Sequence, residues 1–238
     1  MMCLSILSIG LFWKIPRTNF AELTGYIGFV FYCVSIQLFV GILGSILVFI
    51  EERPIFLREQ AGRMYGVLPY YLAKDIIELP INIVLPLLFS LFYIGMGTEV
   101  TMIQFIFFYA IQIMVSLSTA AYGQVIGSLF DNAEVACTFA PVIMMPFVLF
   151  AGFLTNVDTF PRWIGWIQYL SPIRYGFEAG MRNEFDDFHK LPIYVPNPVK
   201  FLNFKLGFFK CMVLLLITTL AMKALACICL KVLMKKFQ

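Results

Sequence analysis

The stretch Thr24–Ile50, TGYIGFVFYCVSIQLFVGILGSILVFI, holds no charged residue. It exceeds the about 20 apolar residues that a helix needs to cross the hydrocarbon core of a bilayer. It therefore reads as a transmembrane helix with some tilt. Directly after it comes EERPIFLREQAGRMYGVLPYYLAKD, in which acidic, basic and aromatic residues are mixed.

Working toward the C-terminus, a run over 76–97 is interrupted only by Glu78, Pro80 and Pro86, so it is expected to be a kinked third helix. Uncharged segments over 102–130 and 135–154, joined by the polar link Asp131–Glu134, make the fourth and fifth. A mixed, proline-punctuated segment fills 155–205, and a last apolar run covers 206–230. Working toward the N-terminus, a polar loop with Lys14, Arg17 and Glu22 separates the opening stretch from MMCLSILSIGLFW. That run (1–13) is too short to span and lacks the basic n-region of a signal peptide. It is expected to be the outer part of a truncated first helix. The fold class that results is an all-α membrane protein of six helices in one domain over 1–238.

Composition agrees. Hydrophobic residues make up 61% of the chain and charged residues 13%, against about 45–50% and about 25% in soluble domains. A net charge of +3, scattered beside apolar runs, gives no footprint for nucleic acid. Arg53, Arg58, Arg63, Lys74, Lys231, Lys235 and Lys236 fall on one side of the expected topology, with only Lys14 and Arg17 in the opposite short loops. The positive-inside bias then places the C-terminus in the cytosol and 155–205 outside, in the plasma membrane or an endomembrane. The terminal KVLMKKFQ fits the same bias.

Enzymatic chemistry finds little to work with. One histidine (His189), no Cys/His cluster at metal spacing and no Gly-x-Ser-x-Gly give no catalytic or metal site. The phosphate-cradling pattern Gly-x-x-x-x-Gly-Lys-Ser/Thr is also missing. Apart from Lys210 in the opening turns of the last run, the charges inside the spans are Glu78 and Lys223, each expected to snorkel or to pair locally, Glu78 with Lys74 one turn away. Gly123 and Gly127 have the spacing that lets a neighbouring helix approach closely. Pro141 and Pro146 should bend the fifth helix. In PRWIGWIQYL, Trp163, Ile164, Trp166, Ile167 and Leu170 are expected to share one face of an interfacial helix.

Several stretches in order carry a resemblance: GFVFY (28–32), EERPIFLREQAGRMY (51–65), YYLAKDIIELP (70–80), AGFLTN (151–156) and YLSPIRYGFEAGMRNEF (169–185). Together they resemble the ABC-2 type membrane domain of G-subfamily ATP-binding cassette transporters, the white and breast-cancer-resistance type. The resemblance implies an exporter of lipophilic molecules (lipid, sterol or amphipathic xenobiotic) that works as a homo- or heterodimer in contact with membrane lipid. ATP and Mg would belong to a nucleotide-binding domain, in cis or in trans, that is absent from these 238 residues. The resemblance further implies a coupling helix after the second span, over 51–73, with Phe56, Arg58 and Glu59 in contact with that domain, and re-entrant or interfacial helices before the sixth.

By the same resemblance, the substrate cavity lies between the second and fifth helices of two subunits. Tyr32, Ser35, Ile36 and Phe39 line it from one helix, with Phe39 as an aromatic clamp. Thr138, Val142, Met145 and Val148 line it from the other, and Phe153 with Leu154 forms an exit plug. Phe153 stands where drug exporters of the family have leucine, and Pro141 falls among the cavity positions. The external segment lacks the cysteines and the N-glycosylation sequon of some relatives. The rival reading is a non-transporting membrane scaffold derived from such a transporter.

Overall fold

The computed structural model describes residues 20–62, 64–95, 101–154, 163–185 and 198–237. The expected first-helix remnant over 1–13 and His189 lie outside them. Among the described residues seven α-helices follow one another: α1 Phe20–Ala61, α2 Val67–Gly95, α3 Met102–Leu129, α4 Ala133–Leu149, α5 Pro172–Phe185, the single turn α6 Pro198–Phe201 and α7 Phe208–Phe237. A short 3-10 helix, Gly165–Tyr169, precedes α5. No strand occurs among the described residues.

α1 does not stop where its apolar run ends. Its 42 residues at about 1.5 Å per residue reach roughly 60 Å, twice a hydrocarbon thickness of about 30 Å. Glu, Arg and Leu at 51–59 are good helix formers, and the helix absorbs Pro54 without ending. Residues 51–61, where a further helix was expected after the second span, are thus a three-turn extension of α1, followed by a tight bend into α2. Among the described residues, α1, α3 and α7 are long and apolar enough to cross a membrane, and α4 is a shorter apolar helix. Lys74, Asp75 and Glu78 interrupt the start of α2.

α3 is the hub, packing against α1, α2, α4, α5 and α7. Its inner faces are built from small residues, among them Ser116, Ser118, Thr119, Ala120, Ala121, Gly123 and Gly127, which let backbones approach. A Cβ on Gly123 would sit 2.6 Å from the Ile42 carbonyl oxygen and 2.8 Å from Ser45 Cβ, and one on Gly127 would press on the Phe49 side chain. α5 repeats the device: Gly176 faces Val115 and Val34, and Gly180 faces Val30.

α5 is buried along most of its length, packed beside α1 and α3. Ser171 fixes its start, donating to the Phe147 carbonyl at 2.8 Å and accepting from the Arg174 amide. Packing is layered. Aliphatic stripes from α1 (Val34, Leu38, Ile42, Ile46) and α4 (Ala136, Ala140, Met144) form the middle. Aromatic groups close both ends, around Tyr26, Phe29 and Phe177 at one and around Phe49, Phe56 and Tyr71 at the other.

The tryptophan segment departs from the expected face. A 3-10 helix has three residues per turn, so positions i and i+3 eclipse. Trp163, Trp166 and Tyr169 therefore share an exposed edge, while Ile164, Ile167 and Leu170 turn inward together.

Candidate functional site

At the far end of α1, the bend is held by an aromatic stack. Phe56, 1% exposed, packs on Tyr70 with ring centroids 4.2 Å apart and on Tyr65 at 6.4 Å. Tyr65 donates its hydroxyl to the Glu59 carboxylate, and Gln60 donates to the Tyr65 carbonyl. Burial and this bond to Glu59 push the Tyr65 phenol up to about 12. Phe56 thus pins the bend from inside instead of offering itself to a partner. Arg58 is exposed, and so are the apolar Ile55, Met64 and Leu68 around it. Those three were missed by sequence reasoning, because an apolar residue among charges does not reveal which way it faces. Arg53 ties the same region to the α3–α4 link, bonding the Phe130 carbonyl at 2.9 Å and Asp131 at 2.6 Å.

Behind the bend lies an ionic cluster drawn from four helices. Lys74 of α2 bonds Glu52 of α1 and stands 3.3 Å from Glu78. Gln124 of α3 donates to Glu78 at 3.0 Å and to Asp75 at 3.3 Å, and it accepts from the Tyr71 hydroxyl. Lys223 of α7 pairs with Asp75 at 2.7 Å. The Lys74–Glu78 pair is present as expected. Lys223 finds its partner on another helix, crossing to Asp75 of α2. A lysine inside an apolar run demands a partner at its own depth, but sequence alone does not say which helix supplies it.

The residues expected to line a cavity divide. Ser35 and Ile36 are buried within the chain and Tyr32 is half-buried, whereas Phe39 is 38% exposed. On α4, Val142 and Met145 are exposed, as is Thr138, whose hydroxyl donates to the Glu134 carbonyl at 2.8 Å. Val148 packs against the aliphatic core. Val135, Phe139, Val142, Met145 and Leu149 repeat at helical spacing, giving α4 an uncovered apolar stripe. Phe153 is held between Phe31 (stacked, 4.6 Å) and Phe177 (edge-on, 6.0 Å), and Leu154 projects freely. No group of three or more metal-ligating side chains occurs among the described residues.

An all-helical bundle with membrane-length apolar helices and a charged extension is one half of the comparison; the sequence is the other. Residues 1–185 match the family model of the ABC-2 type transporter. The chain belongs to that family. Its similarity extends to "ABC transporter ATP-binding protein/permease wht-1" of Caenorhabditis elegans, 32% identical over 62% of this chain and 22% of that protein. It extends also to "Protein white" of Drosophila melanogaster, 30% identical over 67% of this chain and 23% of that one. "ABC transporter G family member 1" of Dictyostelium discoideum is 31% identical over 70% of this chain and 21% of its own length. The ABC-2 domain here therefore aligns with under a quarter of each of these relatives, and it is an integral membrane protein of a transporter family.

Proposed function

We propose that this ABC-2 domain is the membrane half of an ATP-driven exporter of lipophilic molecules and that it acts as a dimer. The observation that carries the reading is the pairing of two uncovered apolar surfaces on adjacent helices, Phe39 on α1 and the Val142–Met145 stripe on α4. The other faces of the same helices are closely packed. A surface of that kind is complete once a second subunit faces it, and the enclosed space suits a lipid, sterol or flat amphipathic molecule. Phe39 is the clamp and Leu154, beside the fixed ring of Phe153, the movable part of the exit.

ATP and Mg are assigned to a nucleotide-binding domain, since no phosphate-binding loop occurs in these residues. That domain would meet the chain at the α1–α2 bend, through Arg58, Ile55, Met64 and Leu68, on the cytosolic side. Movement there reaches the bundle through Glu59, Tyr65, Phe56, Tyr70 and then Glu52 of the ionic cluster, because each touches the next. A scaffold without a motor gives no reason for an exposed Arg58 on a bend pinned so firmly. The test is ATP hydrolysis by the full-length transporter in lipid. Phe39→Ala should abolish stimulation by lipophilic ligands at unchanged basal rate, and undiminished stimulation by several such ligands would reject the clamp.

A further inference from the structure

The face of α1 turned away from Phe39 borders a second space. A cavity of about 150 Å³ lies between α1 and α2, with Ser116 of α3 at its back. Its α1 positions, 37, 40, 41, 44, 45 and 48, share one face of the helix, about half a turn from Phe39. The walls are aliphatic, and the polar groups gather at the ends. At one end stand Gln37, Asn82 and Ser116; at the other, Ser45 and Glu78. With a rise of about 1.5 Å per residue, Gln37 and Ser45 are roughly 12 Å apart.

The polar end at Gln37 is incomplete in a specific way. Gln37 is 1% exposed, and its Nε2 has no hydrogen-bond partner. Ser116 commits its proton to Asn82 Oδ1 at 3.0 Å, so its oxygen can only accept from a further group. A donor without an acceptor thus shares a cavity with an acceptor that has room for a donor. One hydroxyl answers both, accepting from Gln37 Nε2 and donating to Ser116 Oγ.

We infer that this cavity binds the hydroxyl end of an uncharged amphiphile, a sterol or a diacylglycerol being the two sources of that chemistry. An anionic head is disfavoured, because Glu52, Asp75 and Glu78 already outnumber Lys74 and Lys223 in the adjoining cluster, and a further buried negative charge would have no counter-ion. Water alone is a poor occupant, since the walls offer it no partners between the two ends. Access is from the side of the bundle. Gly44 and Ile81 at the rim are exposed, at the depth of the uncharged stretch 24–50 where a bilayer supplies lipid. A Cβ built on Gly44 meets no atom within 4 Å, so the opening has room.

The experiment uses the full-length protein in phosphatidylcholine nanodiscs containing a photoreactive alkyne cholesterol or, separately, a photoreactive alkyne diacylglycerol, with labelled peptides located by mass spectrometry. Saturable labelling of the segments 37–48 and 78–85 is expected with one of the two probes, competed by its unlabelled parent, and the probe that labels identifies the source. Gly44→Phe should fill the opening and lower this labelling at least about ten-fold. Gln37→Leu, which keeps the volume and removes the donor, should lower it about five-fold. Absence of labelling there with both probes, or labelling unchanged by both substitutions, overturns the proposal. Binding requires neither nucleotide nor a second subunit, so its outcome is independent of whether export by a dimer is upheld.

Discussion

Gly123→Ala is a single-methyl perturbation whose size can be worked from the packing of α1 on α3. The new Cβ would lie 2.6 Å from the Ile42 carbonyl oxygen and 3.0 Å from Ile42 Cα, both backbone atoms of a fully buried residue in the middle of α1. Ordinary contact begins at 3.4 Å, so the helices must separate by most of an ångström. Separation there also loosens Leu38, Ile42 and Ile46 against α4. Overpacking of this kind costs about 1–3 kcal/mol, and alanine recovers about 0.5–1 kcal/mol over glycine in a helix. A net loss of about 1–2 kcal/mol should lower the midpoint of thermal unfolding by roughly 2–8 °C, measured on purified full-length protein by size exclusion after a heat step. Gly44→Ala, on the open face of the same helix pair, supplies the control and should be neutral or stabilising. Equal midpoints for the two variants would refute the close-approach argument.

Two further outcomes follow from the bend and the cluster. Lys223→Met leaves the Asp75 carboxylate with only the Gln124 amide, and it should cost about 2–4 kcal/mol of stability. Adding Asp75→Asn should return most of that in the same unfolding assay, so a double variant no better than the single one would contradict the cross-helix pair. Tyr65 has its folded pKa raised to about 12 above an ordinary value of about 10. Its contribution is therefore fully present below pH 10 and lost as pH rises toward 12. Tyr65→Phe should lessen that alkaline dependence of stability, the part left belonging to phenols such as Tyr70, which burial and Glu52 also raise, and a variant with the wild-type profile between pH 9 and 12 would show that Tyr65 does not contribute.

Much of the bundle was legible because lipid imposes one-dimensional rules. Long uncharged runs marked α1 and α3 and a long apolar run marked α7, and the Gly123–Gly127 spacing announced the close contact that α1 makes with α3. The remainder depended on facing and depth, which a run of letters does not carry. Phe56 looked like an anchor for a partner because charges surround it in sequence, yet the α1–α2 bend folds Tyr65 and Tyr70 over it. The segment holding α5 has low average hydrophobicity, with Arg174, Glu178 and Arg182 among its residues, so composition did not mark it as a buried helix and only the resemblance implied re-entrant or interfacial helices there. Its apolar and small residues nonetheless share helical faces that bury against α1 and α3. Lys223 signalled a partner without naming Asp75, since pairing across helices depends on which turns lie level. The Trp163–Leu170 stripe was assigned the wrong period, three residues per turn replacing 3.6.

The claim that Phe39 and the α4 stripe face a second subunit in a nucleotide-driven cavity has a direct test. In full-length protein freed of its own cysteines, Phe39→Cys and Val142→Cys would be introduced and treated in native membranes with a short bifunctional thiol reagent. Val213→Cys, exposed on α7, serves as the lipid-facing control. The account predicts a cross-linked product of two subunits from the Phe39 and Val142 sites and none from Val213, with the yield changed by trapping in ATP, Mg and vanadate. Single-subunit product from every site, or a yield indifferent to nucleotide, would contradict it.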